Sequence, residues 1–308
     1  MSIFSIGEMI RKQRRLLGIS QEQLSEGICS VATLSRVENG ERLPNKANFD
    51  ALMQRMGHSG EMYDAYVSEQ DFQIHEKKFA IRQAIMQFDL SLAKELLEEL
   101  DLLIQEDDKF DYQFVSYCKM IVFKSKSNLN ETLEGLKTAI KITQPRYGNI
   151  KLYELFLSFD EITILNNIAN IYPELGDYDK GISLLYEIRD YMNLKYINSE
   201  ERMRLYPMIL YNLSKWLGLR GRYKEAIEIC DIGIESCQNS GRAKLLCRIL
   251  YNKAWSMSKL KTYKEQEYIK VLMQSYYVAL ALGEYEAAEK YKMFAINNTI
   301  ISKDLFIV

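Results

Sequence analysis

Two groups of residues in this 308-residue sequence have types and spacings suited to holding another molecule. The first lies near the start. Ser30, Val31, Ala32 and Thr33 are followed by Arg36, with Gln21 upstream and Arg15, Arg42 and Lys46 around them. A guanidinium can take guanine O6 and N7 together, apolar side chains can touch thymine methyls, and scattered cations can meet phosphates. The second group is a recurring asparagine with aromatic neighbours: Asn166, Asn170, Asn212 and Asn252, with Tyr211, Trp216, Tyr251 and Trp255. A carboxamide both donates and accepts hydrogen bonds, which suits the backbone of an extended peptide.

Catalysis has little to work with. There are two histidines, His58 and His75, and no metal-ligand spacing, GxSxG, P-loop or dinucleotide fingerprint. Acid pairs such as Glu98-Glu99 and Asp107-Asp108 read as solvated helix surface. The five cysteines (Cys29, Cys118, Cys230, Cys237, Cys247) form no CxxC pair and read as small buried side chains. The expectation is a protein that is not an enzyme, with no cofactor and no metal. No apolar run is long enough to cross a membrane, and the N-terminus lacks an apolar signal core, so a cytoplasmic protein is expected. The net charge is −2, which excludes a uniformly basic coat but not one basic face. Residues 1–57 carry eight basic and six acidic side chains, and the remainder carries 32 and 36.

The elements that must position these residues are helices. Ile6, Met9, Ile10, Leu16 and Leu17 recur at helical spacing, and Gly18 closes that helix. Ser20 with Gln23 makes a capping-box pattern for a second helix, whose apolar residues are Leu24 and Ile28. Ser30 caps a third, with Leu34 and Val37 inward, and Gly40 stops it. Pro44 and Asn45 begin a fourth, carrying Phe49, Leu52, Met53 and Met56.

Two short helices joined by a tight turn describe a helix-turn-helix. The stretches Gly18-Ile19-Ser20-Gln21-Glu22-Gln23-Leu24-Ser25 and Leu34-Ser35-Arg36-Val37-Glu38-Asn39-Gly40 resemble the Xre/Cro class of DNA-binding domains. The third helix should then lie in the major groove with its first turn nearest the bases. Arg36 is the best base reader, with a phosphate contact as its alternative. Gln21, Arg15, Arg42 and Lys46 are phosphate candidates. The resemblance also implies that Arg14 pairs with Glu38 inside the domain.

Beyond a polar stretch the chain repeats. Asn167-Ile168-Ala169-Asn170-Ile171-Tyr172 leads to Gly176-Asp177-Tyr178, Tyr211-Asn212-Leu213-Ser214 leads to Gly221-Arg222-Tyr223, and Tyr251-Asn252-Lys253-Ala254 leads to Lys261-Thr262-Tyr263. Each copy is a helix, a turn with Tyr, and a second helix, which is tetratricopeptide (TPR) grammar. Weaker copies turn near Leu90 and Leu129. Such repeats bury their apolar faces only by stacking. The expected fold is all-α: an N-terminal helix-turn-helix domain followed by a right-handed superhelix of about five TPR-like repeats. Its expected limits are residues 1–60 for the head, 61–75 for a linker helix and 76–308 for the repeats, closed by Tyr285, Ala288, Tyr291 and Phe294. The four asparagines fall on the first helices, which line the concave face. They either hold a peptide backbone there or bond between neighbouring helices.

Head and body together resemble the RNPP family of Gram-positive quorum-sensing regulators, nearest its PlcR-like members. Gln23-Leu24-Ser25-Glu26, Ile28-Cys29, Asn166, Ile168-Ala169-Asn170-Ile171-Tyr172 and Lys180-Gly181-Ile182 carry the likeness. It implies a transcription regulator that is a homodimer on a palindromic double-stranded operator, controlled by a short signalling peptide. The family's peptide-contacting asparagines fall on Asn166 and Asn212. One departure is clear: at Gln87-Phe88-Asp89 this chain lacks the lysines that such members use to help hold the peptide. The other reading is a TPR scaffold for a protein partner, with no peptide ligand.

Overall fold

The computed structural model describes residues 3–58, 69–104, 108–124 and 128–298. Among them there are fifteen α-helices, one short 3-10 helix and no strand. The chain divides into two compact units. One comprises residues 1–175 with 193–198, the other residues 176–192 with 199–308.

The first unit begins with α1 (Ile3–Leu16), α2 (Gln21–Ser25), α3 (Val31–Glu38) and α4 (Lys46–Arg55). Local signals account for their ends. Ser20 Oγ accepts from Gln23 N while Gln23 Oε1 accepts from Ser20 N, closing the capping box. Ser30 and Asn45 cap α3 and α4 through Thr33 N and Asn48 N. The core of this head is Ile6, Ile10, Leu24, Ile28, Leu34, Val37, Phe49, Leu52, Met53 and Met56. Leu16 departs from expectation and is 70% exposed. The inward row of α1 is Ile6, Ile10 and Arg14, and Leu16 turns away from it.

Arg14 fills that row because Glu38 neutralises it. Its Nε and Nη2 donate to the two Glu38 oxygens at 2.6 and 2.8 Å, and its Nη1 donates to the Ile19 carbonyl. The buried pair ties α1 to the end of α3, as the Xre/Cro resemblance implies.

The unit continues through α5 (Glu69–Met86), α6 (Leu90–Asp101), α7 (Lys109–Val122), α8 (Leu129–Thr143) and α9 (Phe159–Glu174). The described part of the expected linker helix runs straight into α5, so residues 69–75 and the first repeat share one helix. Ile81, Ala84, Leu97, Leu100, Phe114, Val115 and Cys118 form a core across α5, α6 and α7.

The second unit holds most of α10 (Tyr178–Leu194), then α11 (Ser199–Leu219), α12 (Tyr223–Ser240), α13 (Ala243–Ser258), α14 (Glu265–Ala281) and α15 (Tyr285–Asn298). In chain order α5 to α14 alternate as five first and five second helices, with α15 after them. Leu90, Leu129, Tyr178 and Tyr223 open the second helices of four pairs, and Tyr263 lies just before the fifth. The long step from Leu129 to Tyr178 contains the connection of residues 144–158 with its 3-10 helix, Leu152–Glu154. On α15, Ala288, Tyr291 and Ala295 are buried and Phe294 packs beside them. Tyr285 does not help, being exposed at the first position of the helix.

Candidate functional site

The first turn of α3 stands out from the head. Ser30, Val31 and Ala32 are exposed, Thr33 is half-buried, and Arg36 is exposed one turn on. Leu34 and Val37 anchor the opposite side of the helix in the core. Ser30 Oγ and Thr33 Oγ1 lie 2.9 Å apart, so the two hydroxyls at the helix start are already engaged. The side chains presented are therefore two small apolar ones and a guanidinium.

The surrounding phosphate candidates divide. Arg15 and Arg42 are exposed. Gln21 stands at the start of α2, but its Nε2 donates to Glu38 Oε2 at 2.8 Å and joins the Arg14–Glu38 pair. Lys46 does not face solvent. It is 8% exposed, and its ammonium donates to Asp50 Oδ1 at 2.7 Å. The i,i+4 spacing from Lys46 to Asp50 was the available signal, and it makes the lysine part of α4. Burial pushes the Asp50 carboxyl above its ordinary range although Lys46 pulls it down.

The asparagines must be described unit by unit. In the first unit Asn166 is buried, and Asn170 Nδ2 donates to the Asn166 carbonyl at 2.7 Å, one turn back on α9. Neighbouring Asn167 donates to the Thr163 carbonyl and to the Tyr117 hydroxyl. In the second unit Asn212 is half-buried on α11. Asn252 Nδ2 donates to Ser214 Oγ at 3.0 Å and the Tyr211 carbonyl at 3.4 Å. This is the inter-helix role, and it leaves Asn252 only an acceptor role toward a ligand.

The aromatic residues pack between repeats, with Tyr251 and Trp255 half-buried. Trp216 is 5% exposed and meets the Tyr178 ring edge-on at 6.0 Å, and Trp255 meets Tyr223 in the same way at 5.8 Å. Tyr251 stacks on Tyr291 at 4.5 Å, with Phe294 edge-on. Trp216 is enclosed because the tyrosine opening one second helix locks against the tryptophan of the next first helix. Tyr211 remains half-buried, its hydroxyl raised by burial.

Near the departure at Gln87-Phe88-Asp89 the cations of α5 are already paired. Arg82 Nη2 reaches both Asp160 oxygens at 2.9 and 3.0 Å, with its guanidinium 4.7 Å from the Phe114 ring centroid, and Lys78 pairs with Asp111. In the second unit a cavity of about 370 Å³ is lined by Ile234, Leu246, Leu250, Val271 and Val278 together with Gln238, Gln274 and the Asp231–Lys253 pair. None of these was singled out from sequence, because isolated apolar positions give no ligand signal.

Among the described residues no His/Cys/Asp/Glu cluster could hold a metal, and no helix is long and apolar enough to cross a membrane. Burial pushes the Cys230 and Cys237 thiols up to about 12 and about 11, away from nucleophilic use.

Comparison with known proteins matches two stretches of the chain, the head and the repeats. Residues 10–59 match the helix-turn-helix family, and residues 91–298 match the RNPP family C-terminal domain. No curated protein matches the sequence. Among solved structures, Bacillus thuringiensis PlcR in complex with the peptide PapR7 and DNA is similar at 22% identity and TM-score 0.60, covering 94% of this chain and 99% of that one. ComR from S. thermophilus, in complex with DNA and its signalling peptide ComS, is similar at 17% identity and TM-score 0.54, covering 95% and 99%. Apo ComR from Streptococcus vestibularis is similar at 16% identity and TM-score 0.55, covering 97% and 99%. At these identities the structures establish the fold. The C-terminal match spans more than half of the sequence, and with the helix-turn-helix before it the chain belongs to the RNPP family.

Proposed function

We propose that the protein is a cytoplasmic, sequence-specific DNA-binding transcription regulator whose operator binding is controlled by a short signalling peptide held by its TPR-like repeats. One observation carries this reading: an exposed α3 start, with Val31, Ala32 and Arg36 outward, precedes an RNPP C-terminal domain. PlcR and ComR, of similar fold, are known in complexes with DNA and a peptide.

In this reading α3 enters the major groove. Arg36 reads guanine, Val31 and Ala32 touch thymine methyls, and Gln21, Arg15 and Arg42 position the head on phosphates. Lys46 is withdrawn from that set, since Asp50 holds it. Asn166, Asn170 and Asn212 are the proposed peptide backbone contacts, with Asn252 accepting only, and Tyr211, Trp216, Tyr251 and Trp255 are the proposed aromatic neighbours. A homodimer on a palindromic operator is part of this reading. Peptide binding changes operator affinity only by the difference between its affinities for two arrangements of the protein.

The test is a gel shift with purified protein and its own upstream region, with and without the small-peptide fraction of spent medium. A specific complex that changes with the fraction is expected. A specific complex indifferent to it would overturn peptide control, and no specific complex would favour the scaffold reading.

A further inference from the structure

We propose that Arg55 is a positioning residue for DNA reading, because it seats the head in one orientation on the helices of its own unit. The inference rests on the proposed function and adds to it the element that sets which half-site spacing is accepted.

Arg55 is the last residue of α4, and its side chain is 1% exposed. Its Nη1 donates to the Glu26 and Leu24 carbonyls at the end of α2. Its Nη2 donates to the Thr143 carbonyl at 3.0 Å, at the end of α8, and to Glu161 Oε1 at 3.4 Å, on α9. One planar group thus joins two elements of the head to two elements outside it. Glu161, 0% exposed, is itself held in place. It accepts from Thr143 Oγ1, from Gln144 Nε2 at 3.0 Å and from Ser158 N at 2.6 Å.

The backbone is shaped around this seat. Gly27 has φ +71, and a Cβ there would lie 1.9 Å from the Thr143 carbonyl oxygen. Gly57 has φ +81, and a Cβ there would lie 2.2 Å from the Tyr196 carbonyl oxygen. The Gly57 carbonyl accepts from Asn198 N at 2.7 Å, and Gln54 Oε1 accepts from Phe159 N at 3.1 Å. At the rim Arg146 pairs with Glu26 through two hydrogen bonds, and Asn45 Nδ2 donates to Asp108 Oδ1. Phe110 and Phe156 lie against the head core beneath these polar contacts.

Apolar contact alone is non-directional and would let the head slide. A guanidinium fork has a fixed geometry, and away from water a displaced head would leave Glu161 charged and unpaired. Arg55 Nε is buried with no hydrogen-bond partner among the described residues. All of these contacts leave Val31, Ala32 and Arg36 exposed. In a dimer, heads seated in this way would present their α3 helices at a distance set by the helices beneath them.

The test uses the full chain and DNA that the wild type selects from a random pool. From that site a series is built in which the two half-sites are moved apart or together by single base pairs. Wild-type affinity is expected to fall about tenfold or more away from the selected spacing. Arg55→Met is expected to flatten that profile to within about threefold while keeping the base preferences within each half-site. A merely structural role would lower affinity equally at every spacing. Glu161→Gln, nearly isosteric, and Arg146→Gln, at the exposed rim, serve where Arg55→Met folds poorly, with the same change of profile in smaller degree.

Amide exchange supplies a readout without DNA: residues 24–29 and 52–58 should exchange faster in Arg55→Met. An unchanged spacing profile, or unchanged exchange in these segments, would overturn the inference. Failure of the wild type to select any DNA would overturn the proposed function and the positioning role with it. The exchange result would still decide whether Arg55 seats the head.

Discussion

The two compact units bury polarity differently. In the first unit Arg14, Glu38, Lys46, Arg55, Asp111 and Glu161 are all buried, as are Gln113, Gln144 and Asn166. In the second unit the buried polar residues among those described are Ser214, Ser256 and Ser275. Its charged pairs lie at the surface, as with Arg220–Asp179 and Lys244–Glu284. A buried ion pair is a poor source of net stability but tolerates few geometries. A stack of like helices needs no such selection, since each helix meets neighbours of the same kind. The first unit must place four short head helices on unlike partners, and charge pairs choose one arrangement.

The comparison can be broken most directly at Glu38. Glu38→Ala leaves Arg14 buried and unpaired, and should cost about 3–5 kcal/mol in denaturant unfolding of the first unit. Replacing both partners, Arg14→Met with Glu38→Leu, should recover most of that loss. If the single variant cost nothing, the buried pair would have no part in holding the head.

In the second unit the corresponding damage comes from a cavity. Leu272→Ala on α14 removes a fully buried side chain and should cost about 2–5 kcal/mol. Hydrogen exchange should place the loss in α13, α14 and α15 and leave the head protected. Equal deprotection of the head would contradict the nearest-neighbour character of the stack.

Smaller effects separate function from packing. Arg36→Ala should cost about 1–3 kcal/mol in binding to the preferred operator with little change in melting temperature. Lys46→Ala should do the reverse, lowering stability while operator affinity stays nearly constant. Asn212→Ala should weaken peptide binding by about 0.5–1.5 kcal/mol in calorimetry, with an unchanged far-UV spectrum.

The smallest effect concerns pH. Burial lowers the His58 pKa below its ordinary 6.5, beside the Tyr196 ring at 5.3 Å. The unfolded chain therefore takes up the proton first as pH falls. Stability should be lost below about pH 6.5, levelling off once the folded state also titrates. His58→Gln should show a flatter melting profile between pH 7 and pH 5.5 than the wild type, a window that spans the ordinary value.

The fold was largely legible in the residues. Ser20, Ser30 and Asn45 announced helix starts, and Leu90, Leu129, Tyr178, Tyr223 and Tyr263 marked the repeat turns. The candidate site was legible in outline only. Val31, Ala32 and Arg36 are exposed as their helix positions imply, but Lys46 and Trp216 are enclosed. A lysine four residues before an aspartate reads alike whether its helix is bare or covered. A tryptophan on a first helix reads alike as pocket wall or as partner of Tyr178.

What the sequence by itself determined were features whose causes act over a few residues: capping, turns, the period of the apolar positions and the number of repeats. What only the tertiary structure decided were partners far along the chain. Arg55 meets Thr143 and Glu161 across 88 and 106 positions, and Arg146 meets Glu26 across 120. Nothing within one turn of these residues encodes that pairing. The Arg55 pairing arises because the ends of α2, α4 and α8 are brought together out of water, where a charge is retained only beside its opposite, and Arg146 meets Glu26 at the exposed rim of the same place.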